Sequence, residues 1–291
     1  MKLFLQYGLM LLLSLQHVAA GAEAQTCSAT DGAVCADDEA MLRPNMMDEV
    51  SSPDSKRALN KLIFTRIAKE YDFMTAALSF GLDGSWKRQM LAKISEFLAD
   101  SEPPTLCVDL ACGTGEISLL VSKTFPGAKV RGIDLTPGMI EIAKEHEKTN
   151  PNVKFEVGDM TNLTFNGIED NSVDVITGGY AIRNAPDLRV ALKEIHRMLK
   201  PGGIAAFLDF SRSSKPILST MGYWALKVHG SFWGLVMHGK PWVYGYIADS
   251  LKKYPDRASL AVVMEEEGLA VTHRQLHMFG LLETVHLKKK V

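Results

Sequence analysis

The chain has 291 residues, of which 46% are hydrophobic and 23% are charged, and its formal net charge is −2. A chain of this length and composition can bury one sizeable hydrophobic core, as one large domain or two small ones. Because there is no excess of positive charge, we expect no nucleic-acid partner.

Residues 1–24 have the pattern of a secretory signal peptide. Lys2 precedes a mostly apolar run at residues 3–15, and the small-residue triplet Ala22-Glu23-Ala24 follows. A charged start, a short apolar core and a small-residue exit are typical of signal peptides, and the run is short for a membrane span. We therefore predict entry into the secretory pathway, with plastid targeting through a signal peptide, or an uncleaved anchor, as alternatives.

Residues 25–54 are acidic, with seven Asp or Glu residues against one basic residue, Arg43. This composition predicts a disordered linker and argues against a mitochondrial transit peptide, which would be rich in arginine and poor in acids.

From residue 55 onward the pattern predicts one folded domain, residues 55–291. Leu59, Ile63, Ile67 and Tyr71 recur at helical spacing, and a second helix is predicted over residues 84–98. Strands are then predicted at 105–110, 129–133, 154–157, 173–177 and 204–210, with helices at 116–124, 137–148 and 188–199 between them. Capping helices at 212–256, a helix at 257–267 and strands at 270–275 and 281–287 complete the chain. This alternation predicts an α/β fold, a doubly wound Rossmann-like sheet of seven mostly parallel strands with N-terminal and C-terminal capping helices.

The strongest functional signal is a glycine turn at residues 109–116, directly after the first predicted strand. Ligands of doubly wound sheets bind beyond the carboxyl ends of the strands. Gly113 and Gly115 allow a sharp turn and close approach of a ligand, and the amides of the following helix favour a carboxylate or phosphate. The turn therefore predicts a site for a nucleotide-like cofactor.

Further residues at the strand ends narrow the cofactor to S-adenosylmethionine. A dinucleotide site would need a third glycine where the chain has Ser118, which argues against a dehydrogenase. Asp109 suits a cofactor that carries a sulfonium and an ammonium group and lacks a pyrophosphate. Asp134 can accept hydrogen bonds from ribose hydroxyls, and Asp159 and Met160 follow the third strand, where an adenine ring would lie.

Four segments of the sequence, in order, resemble one protein family. They are residues 71–79 with Trp86, residues 178–184, residues 197–203 continuing to 208–211, and residues 244–250. The chain resembles the ubiquinone/menaquinone biosynthesis C-methyltransferases, a branch of the class I S-adenosylmethionine-dependent methyltransferases, over residues 64–286. It departs from that family at Thr75, where the family usually has Asn, at Asp83, where it usually has His, and at Gly179, where it often has Ser.

The resemblance and the glycine turn together predict the site residues. The cofactor-binding residues would be Asp109, Ala111, Gly113, Thr114, Gly115, Asp134, Asp159, Met160 and Gly179. Arg183 would stabilise a phenolate or activate a water, with an ion pair to Asp187 or another acid as its alternative role, and Tyr180, Asn184 and Tyr246 would hydrogen-bond ring oxygens. His229, His238 and His286 are further candidate bases. No metal-ligand spacing is present, so we predict no metal site.

The predicted activity is methylation of a ring carbon in a lipophilic, prenylated benzoquinol or naphthoquinol. The alternatives are N- or O-methylation of another small molecule and a non-catalytic cofactor-binding module. The aromatic stretch at residues 223–246 could line a slot for a prenyl tail, contact a membrane peripherally or belong to the core. A homodimer is the other partner that we consider.

Overall fold

The computed structural model of the chain describes residues 46–48 and 50–290. The signal peptide predicted over residues 1–24 and the linker up to residue 45 lie outside the described residues and stay predictions. The end of the predicted linker is ordered where it is described. Met46–Asp48 forms a 3₁₀ turn in which Met46 and Met47 are buried, and Lys253 Nζ donates a hydrogen bond to the Met47 carbonyl.

Seven strands form one sheet in the order β3-β2-β1-β4-β5-β7-β6. The strands are β1 (Leu106–Leu110), β2 (Lys129–Asp134), β3 (Val153–Val157), β4 (Val173–Gly179), β5 (Leu199–Phe210), β6 (Leu269–His277) and β7 (Leu282–Lys289). The first five are parallel, and β7 pairs antiparallel with β5 and with β6. Strand order reverses between β1 and β4, so the crevice for a ligand is expected beyond these two strands.

Nine α-helices flank the sheet in the part of the chain that the structure describes. They are α1 (Pro53–Ile67), α2 (Tyr71–Leu78), α3 (Asp83–Phe97), α4 (Glu116–Thr124), α5 (Pro137–Lys144), α6 (Leu188–Met198), α7 (Pro216–His238), α8 (Trp242–Lys253) and α9 (Arg257–Glu266). Local sequence sets several of their ends. Ser52 and Ser55 form a capping box at the start of α1, and Asp187 and Asp256 cap α6 and α9. The architecture confirms the predicted fold class.

Two of the predicted elements differ clearly in the structure. The first predicted helix is divided, because α1 ends at Ile67 and a 3₁₀ turn separates it from α2. Strand β5 begins at Leu199, five residues before the predicted start, because Leu199 pairs with Val173 across an irregularity in the ladder. The predicted capping helices at 212–256 are present as one helix over residues 216–238 and a second over residues 242–253. The earlier start of β5 depends on long-range pairing, which local turn signals do not report.

Candidate active site

The glycine turn after β1 is held in a backbone conformation that favours glycine. Gly113 has φ +55° and Gly115 has φ +94°. A Cβ atom on Gly115 would lie 2.6 Å from Cζ of Phe155, so packing also excludes a side chain there. A Cβ atom on Gly113 would lie 3.4 Å from the Tyr71 ring. The turn is thus fixed by β3 on one side and approached by α2 on the other.

Asp134, at the end of β2, binds the glycine turn directly. Its two carboxylate oxygens accept hydrogen bonds from the backbone N–H of Gly113 at 2.9 Å and of Thr136 at 2.8 Å. The side chain is buried, and burial raises the pKa of its carboxyl above the usual value although both amides lower it. Asp134 also lies on the wall of a cavity, where its remaining lone pairs can accept from a ligand.

Asp109 lies beneath the turn and does not line this cavity. Its oxygens accept hydrogen bonds from the hydroxyls of Ser118 at 2.7 Å and Thr177 at 2.8 Å. Burial raises the pKa of Asp109 to about 6. These contacts tie β1, β4 and α4 together under the turn, so the structure gives Asp109 a supporting role. Direct contact with a cofactor stays a prediction for this residue.

A cavity of about 610 Å³ opens at the carboxyl ends of β1, β2 and β4. Six of the nine predicted cofactor-binding residues line it: Ala111, Gly113, Asp134, Asp159, Met160 and Gly179. The other three, Asp109, Thr114 and Gly115, do not. The Thr114 hydroxyl donates to Asp72 at 2.6 Å, which links the turn to α2. We call this space the cofactor cavity.

The charges around the cofactor cavity discriminate between cofactors. Two carboxylates line it, those of Asp134 and Asp159, and no Lys or Arg does among the residues that the structure describes. Arg57 donates to Asp159 at 2.6 Å from outside the lining. Although burial alone raises the pKa of Asp159, hydrogen bonds from Thr161 and Arg57 bring it below the usual value. A wall with acidic groups and no cation suits a sulfonium and ammonium cofactor and does not suit a pyrophosphate. The cavity therefore fits S-adenosylmethionine.

A second cavity, of about 520 Å³, adjoins the first. Four residues line both spaces: Phe64, Tyr71, Tyr180 and Asn184. The rest of the second wall is mostly apolar and aromatic: Ile67, Met74, Thr75, Leu78, Ser79, Arg183, Phe210, Tyr244, Tyr246, Ile247 and Leu282. A ligand here would lie next to the cofactor in the first cavity, so we call this space the acceptor cavity.

Arg183 is the one cation among the described residues that line the acceptor cavity. It is 3% exposed, and Nη1 donates to the Ser250 hydroxyl at 2.6 Å. Its acidic partner is Asp209, 3.6 Å from Nε, whereas Asp187 instead caps α6. The Arg183 Nε–H has no hydrogen-bond acceptor in the described part of the chain. Arg183 therefore brings a guanidinium, held by Asp209 and Ser250, to the wall of the acceptor cavity.

The other three predicted catalytic residues, Tyr180, Asn184 and Tyr246, also line the acceptor cavity. The Tyr180 hydroxyl donates to Asp83 at 2.6 Å, and Asn184 Nδ2 donates to the Tyr180 carbonyl at 2.8 Å. The structure thus brings the four candidates to one wall. None of the candidate bases His229, His238 and His286 lines either cavity.

Sequence reasoning missed the contribution of α1 to the site. Asn60 and Phe64 line the cofactor cavity and lie seven and three residues before Ile67, on the same helix. That spacing was a usable signal, because residues at i, i+3 and i+7 share one helix face.

No cluster of three His, Cys, Asp or Glu side chains that could hold a metal occurs within residues 46–48 and 50–290.

Comparisons with known proteins decide the family. Residues 52–290 match the ubiE/COQ5 methyltransferase family. The chain belongs to this family. A demethylmenaquinone methyltransferase of Staphylococcus aureus (strain JH9) is 31% identical over 229 residues, which cover 78% of this chain and 91% of that protein. The chain is therefore an S-adenosylmethionine-dependent methyltransferase, and the predicted family, enzyme class and cofactor are confirmed.

Solved structures share the fold of this ubiE/COQ5 family member. A putative sarcosine dimethylglycine methyltransferase from Galdieria sulphuraria superimposes with a TM-score of 0.53 at 13% identity, covering 71% of this chain and 86% of that one. A geranyl diphosphate methyltransferase gives a TM-score of 0.52 at 15% identity, covering 73% of this chain and 80% of that one. At this low identity the likeness shows the fold alone.

Two of the three departures from the family pattern line the two cavities, and the third contacts a residue that lines both. Thr75 lines the acceptor cavity and Gly179 the cofactor cavity. Asp83 holds the hydroxyl of Tyr180, which lines both. A side chain on Gly179 would need space from α4, because its Cβ would lie 2.7 Å from Cδ1 of Ile117.

Proposed function

We propose that this enzyme methylates a ring carbon of a lipophilic benzoquinol or naphthoquinol. The main observation that supports this proposal is the acceptor cavity. It adjoins the cofactor cavity, has mostly apolar and aromatic walls, and is lined by Arg183. The similarity to a demethylmenaquinone methyltransferase supports the same substrate class. Methylation of another small molecule at N or O is the alternative, kept open by the departures at Thr75 and Asp83.

The residues of the acceptor cavity fit the chemistry of a carbon nucleophile. S-adenosylmethionine, when bound, supplies an electrophilic methyl group on a positively charged sulfur. A quinol becomes nucleophilic at the carbon next to a hydroxyl when that hydroxyl loses its proton. Arg183 would stabilise the resulting oxyanion, and the aromatic wall would hold the ring and exclude water. Alignment of carbon and methyl group can contribute up to about 7–11 kcal/mol to lowering the barrier.

The experiment is a transfer assay with methyl-labelled S-adenosylmethionine. The acceptors are demethylated naphthoquinols, demethylated benzoquinols and small amines, each offered with a short side chain for solubility. A quinol that already carries the methyl group is the matched control and should remain unlabelled. Label on a quinol ring carbon is the expected result, and label on amines alone would contradict the proposal.

We propose further that α7 rests on a membrane surface from which the substrate enters. Large apolar residues, each at least half exposed, lie along this helix, and from Leu218 onward they recur every three to four positions: Ile217, Leu218, Met221, Trp224, Val228, Phe232 and Leu235. The opposite side is covered, because Leu226, Gly230 and Trp233 are buried. No described helix is long and apolar enough to cross a membrane. An apolar stripe on a surface helix suits peripheral binding.

Sedimentation with phosphatidylcholine vesicles tests this surface. Replacing Trp224, Val228 and Phe232 together by serine should abolish binding, whereas Phe165→Ser, at a residue that is 91% exposed elsewhere, should leave it unchanged. Light scattering in the same experiment tests the predicted homodimer. If the wild-type chain is a dimer, the triple variant is a monomer and neither binds vesicles, the exposed apolar residues of α7 would be assigned to self-association.

We also propose that residues 1–24 direct the chain into the secretory pathway. Fusion of residues 1–54 to a fluorescent protein tests this, with residues 25–54 alone as the control. Endomembrane or plastid fluorescence that requires residues 1–24 would support targeting, and diffuse fluorescence from both fusions would contradict it.

A further inference from the structure

A buried carboxylate connects the acceptor cavity with the opposite side of α3. Asp83, the first residue of α3, is 4% exposed and accepts a hydrogen bond from the Tyr180 hydroxyl at 2.6 Å. Its second oxygen forms an ion pair with Lys87. Lys87 is also buried, and its Nζ donates to Glu116 at 2.6 Å. Four polar groups thus lie in one continuous hydrogen-bonded series.

The far end of this series reaches open space. A third cavity, of about 490 Å³, is lined by Asp72, Ala76, Gly81, Asp83, Gly84 and Glu116. The Glu116 side chain is 47% exposed there. Asp83 lines this outer cavity, and its partner Tyr180 lines the acceptor and cofactor cavities. The Asp83–Tyr180 hydrogen bond therefore connects the wall of the two inner cavities with the wall of the outer cavity.

Methyl transfer to a neutral acceptor creates a need for such a connection. Each methyl group that replaces a hydrogen on carbon, oxygen or nitrogen leaves one proton to be removed. None of the three histidine candidates lines the two inner cavities, and Arg183 is a cation with no capacity to take up a proton. Tyr180 and Asp83 are placed to accept one.

We infer that Asp83, acting through Tyr180, carries the proton that methyl transfer releases from the acceptor cavity to the outer cavity. As the acceptor O–H or N–H bond breaks, its proton bonds to the Tyr180 oxygen while the Tyr180 proton moves to the Asp83 carboxylate. When the methyl group bonds to a ring carbon, the hydrogen on that carbon then leaves as a proton and the oxyanion takes up a proton, so the O–H bond is restored and one proton is released overall. Asp83, now neutral, gives the proton to solvent in the outer cavity and returns to its anionic form. One proton enters and one leaves, and no oxidant or further reactant is required.

The charges that face Asp83 suit this exchange. They come from Lys87 on α3 and Glu116 on α4, with Asp72 of α2 on the wall of the same outer cavity; the neutral hydroxyls of Tyr180 and Tyr71 are the other titratable groups near Asp83. Burial raises the pKa of Asp83 above its ordinary value, although Lys87 and Tyr180 lower it, so the carboxylate is a better proton acceptor than an exposed aspartate. Burial and Asp83 also raise the pKa of Tyr180, which keeps its hydroxyl protonated at rest.

The test replaces Asp83 by asparagine, which still accepts from Tyr180 but takes up no proton. Lys87 keeps Glu116 as its partner, so the variant leaves no buried cation unpaired. Asp249→Asn is the matched control: Asp249 also pairs with a lysine, Lys227 at 2.6 Å, and accepts from a tyrosine hydroxyl, Tyr223 at 3.0 Å, and it lines none of the three cavities. Thermal unfolding is measured for each variant.

We expect D83N to lower kcat roughly 10²-fold, the lower end of the usual effect of losing a general base, with KM for S-adenosylmethionine changed less than twofold. D249N should keep kcat. The acidic limb of the wild-type pH profile should disappear in D83N, because the carboxylate that must be unprotonated is gone. The solvent deuterium isotope effect on kcat should rise, because proton removal becomes rate-limiting.

Y180F gives a second, independent test, because it leaves the Asp83–Lys87 ion pair intact. If both residues form one path, the double variant D83N/Y180F should lose no more activity than the poorer single variant. Multiplied losses, or wild-type kcat in either single variant, would overturn the inference. This inference rests on the proposed function only in requiring a neutral acceptor, so it is tested with whichever acceptor the wild-type enzyme methylates. Failure of quinols as substrates would therefore contradict the proposed function and not this inference.

Discussion

Asp134→Asn is the sharpest test of how the cofactor cavity is built. The wild-type carboxylate accepts from the backbone N–H groups of Gly113 and Thr136 at 2.9 and 2.8 Å. Asparagine has a single side-chain oxygen, so its NH₂ group must face one of these two buried donors. The substitution thus breaks one contact that shapes the glycine turn and removes a charged acceptor from the cavity wall.

The magnitudes follow from these two contacts. A hydrogen bond to a charged group contributes about 1.5–3 kcal/mol, and a buried donor without a partner costs about 1–3 kcal/mol. Because burial disfavours the Asp134 carboxylate, as its raised pKa indicates, neutralising it offsets part of the loss. We therefore expect the free energy of unfolding to fall by about 2 kcal/mol. Loss of the charged acceptor for the ribose should raise the Kd for S-adenosylmethionine at least about tenfold, or 1.4 kcal/mol.

Calorimetric titration with S-adenosylmethionine and urea unfolding measure the two effects separately. The matched control is Asp174→Asn, at the opposite end of the parallel strands. Asp174 also accepts from two backbone N–H groups, those of Thr105 at 2.8 Å and Leu106 at 3.0 Å, and its other oxygen pairs with Lys200 at 2.6 Å; it lines neither inner cavity. Asparagine can keep both amide contacts through one oxygen but loses the ion pair, so D174N should lower stability and change the Kd less than twofold.

Two results would refute this reasoning. Wild-type cofactor affinity in D134N would show that the carboxylate contributes nothing to binding. Equal loss of affinity in D134N and D174N would show that general destabilisation, and not the cavity wall, governs the Kd.

Three further predictions concern a supporting acid, a catalytic candidate and a glycine. Because the pKa of Asp109 is raised to about 6 in the folded chain against 3.8 in the unfolded one, its contribution to stability is present below pH 3.8 and is lost as the pH rises through 6. Between pH 4 and 7, the free energy of unfolding of D109N, measured with urea, should therefore rise relative to that of the wild type by on the order of 3 kcal/mol. Parallel curves of stability against pH for the two proteins would exclude the raised pKa of Asp109. Arg183→Lys should lower kcat at least about tenfold and leave the Kd for the cofactor unchanged, because lysine lacks the planar guanidinium that reaches Ser250. A change in the Kd for the cofactor without a change in kcat would contradict the placement of Arg183 in the acceptor cavity. Gly179→Ser should lower the free energy of unfolding by about 1–3 kcal/mol, because the new side chain contacts Ile117. Adding I117V to the same chain should relieve part of this loss. If the double variant instead loses the sum of the two single-variant losses, the contact would be excluded.

Residues that follow strand ends could be placed in the site from sequence. Asp134, Asp159 and Gly179 come directly after or at the ends of apolar strands, and parallel strands bring these ends to one edge of the sheet. All three line the cofactor cavity. Sequence patterns predict the position of strand-end residues well, because the existence and direction of the strands follow from apolar runs that alternate with helices.

Which of the strand-end side chains face the ligand could not be predicted. Asp109 and Asp134 both lie at carboxyl ends of neighbouring strands, yet Asp109 pairs in register with Gly132, two residues before Asp134. This stagger leaves Asp109 under the turn and Asp134 on the cavity wall. A shift of one or two positions along a strand decides the face and depth of a side chain, and register is a tertiary property.

The sequence by itself determined the α/β class, the glycine turn, the family and the cofactor, because these depend on local periodicity and on motifs within a few residues. Only the tertiary structure decided which groups meet across the chain. It placed Phe64 and Tyr71 of the N-terminal helices between the two cavities, paired Arg183 with Asp209, and brought Asp83 to the hydroxyl of Tyr180, 97 residues away. Such contacts depend on how helices pack over the sheet edge, and helix packing is set by the shape of the whole core.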